Sequence, residues 1–144
     1  MRTTPLRVAG MCAALTLTVA ACGSSGSGTK KSGTLDLGMS VANISLNFAS
    51  EMVDGAKQAA AHSKDVNLKV VGPANTDGPA EEQLFNSLTA TATDGIVLEN
   101  LDPPIFTRPA ANAVSKGIDV IALDTAPTDG SKVTLYVGND NYKL

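Results

Sequence analysis

From Thr34 onward, apolar positions alternate between two rhythms. Short runs read as strands: Leu35–Val41, interrupted by Asp36 and Gly38; Val66–Val71; Ile96–Leu98; Ile118–Leu123; and Lys132–Val137. Between them, apolar residues return at helical spacing. Phe48, Met52, Val53, Ala56, Ala59 and Ala60 predict a helix from Phe48 to about Ser63, preceded by a polar loop over 43–47. Gly55 lies inside that helix, where it costs about 1 kcal/mol against Ala; close approach to a sheet is the expected reason. A second helix opens at Pro79, a residue suited to a first turn. Its apolar face is Ala80, Leu84, Phe85, Leu88 and Ala92, with Glu81 and Glu82 near the positive end of its dipole. Leu101–Pro104 predicts a rigid loop. The third helix is expected to begin near Pro109, or to carry it in the first turn, because an interior proline breaks the ladder. Ala110, Ala113 and Val114 form its apolar face and Gly117 caps it.

Strand and helix thus alternate through four strands, and a short Thr128–Ser131 turn adds a fifth. That order predicts an α/β fold, a three-layer α/β/α sandwich around a mainly parallel sheet. The run Gly117–Thr125 is central to it. Ile118, Val120, Ile121, Ala122 and Leu123 form a nearly continuous apolar strand that stops at Asp124. A carboxylate there suits a ligand better than a core, since open α/β sheets bind ligands outside the carboxyl ends of their strands.

The first 21 residues read as an address. Arg2 and Arg7 precede an uncharged apolar stretch, Val8–Ala21, too short for a comfortable membrane span. Val19-Ala-Ala-Cys22 resembles the lipobox of bacterial lipoprotein signals, which implies cleavage before Cys22 and a lipid on its sulfur. Residues 22–33 are rich in Gly and Ser and predict a flexible tether, leaving 34–144 as the folded domain. The expected location is the outer face of a bacterial cell membrane, held by the lipid. Without Cys12 the mature chain holds one cysteine, so it forms no internal disulfide. The full chain of 144 residues has a formal charge of −3, which gives no electrostatic reason to expect nucleic acid. It also lacks Trp, so stacking surfaces are few.

If the sheet is parallel, one rim collects Asn43, Ser45 and Asn47; Asn75, Thr76 and Asp77; Glu99, Asn100 and Asp102; Asp124 and Thr125; and Asn139, Asp140 and Asn141. Carboxylates that accept from paired hydroxyls, with amides that donate and accept, suit a neutral polyol. Asp77 and Asp102, each just ahead of proline, read instead as cap and turn formers. No GxGxxG or GxxxxGK[ST] motif is present, which argues against dinucleotide and P-loop chemistry. The one histidine, His62, falls near a helix end away from the rim, and no His/Cys cluster suits zinc. No catalytic residue and no cofactor is assigned. A magnesium site on Glu99, Asp102 and Asp124, serving an extracytoplasmic enzyme, stands as an alternative.

Four stretches in this order resemble the first half of type I periplasmic binding proteins of the sugar-binding class. They are Val53-Asp-Gly-Ala-Lys57, Asp94-Gly-Ile-Val-Leu98, Lys116–Asp124 and Val137-Gly-Asn-Asp-Asn141. The resemblance runs from about Leu35 to Leu144. It implies that Asp124 binds sugar hydroxyls with Thr125 beside it, where the family often has Arg. It also implies that Asn43 or Asn47, together with Phe48, contributes from the first loop. Asn139, Asp140 and Asn141 match the first hinge crossing, so the chain is expected to be the first lobe without the second. The resemblance further implies a small-molecule solute, a monosaccharide or polyol, and an ABC transporter permease as partner. A sensing lobe that presents ligand to a membrane receptor is a further alternative.

Overall fold

The computed structural model describes residues 33–92 and 94–139. The signal segment, Cys22, nearly all of the tether, Asp140 and Asn141 lie outside the described residues. Eight elements follow in order: β1 (Leu35–Ser40), α1 (Asn47–His62), β2 (Val66–Val71), α2 (Gly78–Leu88), β3 (Gly95–Glu99), α3 (Pro103–Ser115), β4 (Asp119–Leu123) and β5 (Leu135–Val137). The strands form one sheet in the order β2-β1-β3-β4-β5, and every pairing is parallel. The α/β fold expected from the alternation is therefore the fold found.

Two apolar layers flank the sheet. On one face Phe85 and Leu88 of α2 and Phe106, Ala110 and Ala113 of α3 close over Ile96, Leu98 and Val120. Phe85 and Phe106 meet edge to face at 5.7 Å, a favoured aromatic geometry. On the other face Val53 of α1 packs with Met39 and Val41, and half-buried Leu68, Val70, Val97 and Leu123 join them. β1 and β3 are neighbours although α1, β2 and α2 intervene in sequence. The chain thus winds outward in opposite directions from the β1/β3 boundary, which makes that boundary the topological switch point.

Several local expectations change. Pro103 and Pro104 do not form a loop; they occupy the first turn of α3, where a missing N–H costs nothing. Pro109 lies inside the helix rather than at its start. The lost backbone bond is offset because Pro109, Ala110 and Ala113 are all buried on the core-facing side, and packing rather than propensity holds most protein helices. Gly55 has no close approach to explain it, since a Cβ built there meets nothing within 4 Å. Gly38 has one: an added Cβ would lie 3.1 Å from Ala92 and Leu88, so the glycine that interrupts the β1 pattern lets α2 settle on the strand. β5 covers only Leu135–Val137 and is exposed throughout. Gly117 closes α3 in the left-handed region (φ 84°), with its N–H donating to Val114 O at 2.9 Å.

Candidate functional site: the carboxyl edge of the sheet

Because all strands run the same way, their carboxyl ends share one edge. Asp124 ends β4 there, exposed and in the left-handed region at φ 67°, which Asp tolerates better than most residues. Its backbone is pinned: its N–H donates to Val137 O at 2.8 Å, and the Tyr136 hydroxyl donates to its carbonyl at 3.0 Å. The carboxylate stays open to solvent. Beside it, Met52, Leu123, Asp124, Val137, Gly138 and Asn139 line an open concavity of about 240 Å³. That is smaller than the roughly 300–1,000 Å³ of complete small-molecule sites. Thr125 is half-buried next to Asp124, with its N–H on Leu123 O at 2.8 Å. Asn139 is exposed at the concavity's margin.

The first loop behaves differently. Asn43 is nearly buried and its amide is engaged within the protein. Oδ1 accepts from Ser45 N at 2.8 Å and Nδ2 donates to Thr76 Oγ1 at 3.2 Å. Val41 N donates to Val71 O and Ile44 N to Pro73 O, each at 3.0 Å, so the loop after β1 lies against the loop after β2. Asn47 and Phe48 open α1 and are both exposed. Ile44 and Leu101 are exposed apolar residues of loops on the same edge, which the polar pattern did not single out. Asp77 caps α2 as its spacing predicts, with Oδ1 accepting from Ala80 N at 3.0 Å. Asp102 precedes α3 with its side chain free of any cap bond.

Glu99 and Asn100 lie under the rim, both buried. Glu99 Oε2 accepts from Ala42 N at 2.9 Å, while Oε1 has no partner. Burial pushes its carboxyl above the ordinary range; the Ala42 amide opposes that shift, and the charge of Asp124 adds to it. Asn100 Oδ1 is also unpartnered, and Asn100 borders a cavity of about 10 Å³ beneath α3, at the threshold for one water. A buried residue the pattern missed completes this layer. Glu81, only 2% exposed, turns inward from the first turn of α2. Burial first, and the charge of Glu99 second, raise its carboxyl to about 8. Ser40 beside it pulls slightly the other way, though neither Ser40 Oγ nor Glu81 Oε1 closes a hydrogen bond. The signal was in the sequence: Glu81 stands four and seven residues before Phe85 and Leu88, on the apolar stripe.

Among the described residues no group of three His, Cys, Asp or Glu side chains converges to hold a metal ion. Glu99 is buried while Asp102 and Asp124 are exposed, so the magnesium arrangement weighed above is not assembled. His62 is exposed at the end of α1, its Nδ1 2.7 Å from Gln58 O.

Residues 37–144 match the model of the periplasmic binding protein domain. The chain belongs to that family. Among solved structures it is similar to XylFII, with a TM-score of 0.68 and 23% identity over 75% of this chain and 39% of the other. GanP, a glucose-galactose binding protein from Geobacillus stearothermophilus, gives 0.66 and 24% over 76% and 39%. A carbohydrate transporter from Acidothermus cellulolyticus, solved with myo-inositol, gives 0.62 and 26% over 74% and 37%. The chain therefore spans about two-fifths of the length of these structures. A search of curated proteins returned no match. In periplasmic binding protein terms, the described residues form one α/β lobe, with Asp124 at the carboxyl edge of its sheet.

Proposed function

We propose that this chain supplies a solute-binding lobe of a lipid-anchored receptor that passes a sugar or similar polyol to an ABC importer. One observation carries the reading: an exposed, backbone-pinned Asp124 stands beside an open concavity at the carboxyl edge of the sheet, in a chain of the periplasmic binding protein family. Its carboxylate would accept from two adjacent hydroxyls, Thr125 would offer a hydroxyl, and exposed Asn47 and Phe48 would supply an amide and an apolar ring face. The small concavity fits one wall of a cleft that closes on solute by hinge motion, with Asn139, Asp140 and Asn141 at the crossing. No cofactor takes part. The glucose-galactose and myo-inositol relatives support a polyol as the solute class. The lipid on Cys22 would hold the receptor at the outer membrane face.

The test is a calorimetric or NMR titration of the chain with monosaccharides and cyclic polyols up to millimolar concentration. Saturable binding of at least one polyol, and none of amino acids or nucleotides, is expected. A panel in which no polyol binds would overturn the sugar assignment. A second reading concerns only the partner. XylFII has been solved in complex with LytSN, which favours, as that second reading, a receptor that reports solute to a second protein. Pull-down with the permease of a neighbouring operon, against a neighbouring membrane receptor, separates the two.

A further inference from the structure

At the switch point between β1 and β3, four buried polar side chains each leave an oxygen without a partner: Ser40 Oγ, Glu81 Oε1, Glu99 Oε1 and Asn100 Oδ1. Two of the four residues are glutamates, 2% and 0% exposed, and the charge of Glu99 acts on Glu81. Two full negative charges in such a place are expensive unless a cation answers them. No cation does among the described residues, where every Lys, Arg and His is exposed. β1 and its loop present only the Ser40 hydroxyl and the Ala42 amide. β4 contributes Asp124, a further negative charge. α2 contributes its positive end, already capped by exposed Asp77, together with half-buried Glu82. Arg108 of α3 and the charged residues of α1 are exposed.

We propose that Glu81 and Glu99 are a proton-sharing pair that positions the loop after β1. The shared proton removes one of the two charges, and the charge that remains lies on Glu99, whose Oε2 holds Ala42 N–H. Ala42 precedes Asn43, which bridges to Ser45 and to Thr76. The pair therefore fixes the strand-to-helix turn that leads to Asn47 and Phe48. Losing the proton places two like charges under that turn and loosens it. The importance of the turn for solute rests on the function proposed above; the proton and its grip on Ala42 do not.

The test needs no solute, so its failure is separable from failure of the polyol reading. Carbon-detected NMR of the whole chain follows the side-chain carboxyl carbons of its four Glu residues against pH, with Glu81→Gln and Glu99→Gln for assignment. One carboxyl of the Glu81/Glu99 pair should keep its proton through neutral pH, and the Ala42 amide should shift with the same midpoint. In Glu81→Gln the high-pH step of the Ala42 amide should vanish while the amide stays protected. Glu81 and Glu99 both titrating in the ordinary carboxylate range would overturn the shared proton. An Ala42 amide indifferent to the pair, or an unchanged high-pH step in Glu81→Gln, would overturn the positioning role.

Discussion

Asp124 was legible because its chemistry conflicts with its surroundings: an apolar strand stops on a charge. The structure adds the left-handed backbone at that position. Asn tolerates the same region, so Asp124→Asn should leave stability within about 0.5 kcal/mol, as surface changes usually do, whereas the β-branched Asp124→Val should destabilise. Thermal melts of the two variants check this. Glu81 was misread because a glutamate in a first helical turn has a ready explanation in the dipole. Its place on the stripe with Phe85 and Leu88 was the better guide, and only packing of α2 on β1 shows that the stripe is buried at that level. A pH consequence follows. Glu81 is raised from 4.5 to about 8 in the folded chain, so the folded state binds more protons than the unfolded state between those values. Its contribution to stability is fully present below pH 4.5 and is lost as pH rises towards 8. Glu99, also raised by burial, acts in the same direction. Denaturant titrations from pH 5 to 9 should show stability falling, with a flatter profile in Glu81→Gln; a wild-type chain more stable at pH 8 than at pH 5 would contradict it.

Among elements, the sequence pattern located the strands and the first two helices to within a few residues, but it placed the start of α3 near Pro109 rather than at Pro103 and misjudged what glycine and proline do inside the elements. Pro103, Pro104 and Pro109 each argue locally against helix, yet the buried face of α3 overrides the last and the first-turn position absorbs the others. Gly38, Gly55 and Gly72 look alike in sequence and differ entirely in space. At Gly72 a Cβ would lie 2.6 Å from Val41 Cγ2 and 2.7 Å from Val41 O, where backbone meets backbone. Gly72→Ala should therefore cost roughly 1–3 kcal/mol, the range for overpacking, and disturb the loop that holds Asn43. Gly55→Ala in the exposed side of α1 should instead stabilise by about 0.5–1 kcal/mol through helix propensity. Chemical denaturation of both variants distinguishes these opposite signs.

At the scale of the molecule, strand-helix alternation was enough to identify a parallel α/β lobe, because each crossover must put a helix on a sheet face. Which buried groups meet under the rim was not legible, since that depends on which strands become neighbours across the switch point. The lobe is unevenly covered: Leu135, Tyr136 and Val137 of edge strand β5 are exposed, and exposed edges invite pairing. Sedimentation should show concentration-dependent self-association of the chain, reduced by Val137→Lys. In cells, labelled palmitate should enter the wild-type chain and not Cys22→Ala, as the lipobox implies. The central claim is that Asp124 belongs to a polyol site at the carboxyl edge. Its most direct test is calorimetry of the best-binding polyol against wild type, Asp124→Asn and Asp102→Asn. Hydrogen bonds to a charged group contribute about 1.5–3 kcal/mol, so Asp124→Asn should weaken affinity about tenfold or more while Asp102→Asn binds as wild type does. Wild-type affinity in Asp124→Asn, with the loss falling on Asp102→Asn instead, would contradict the account.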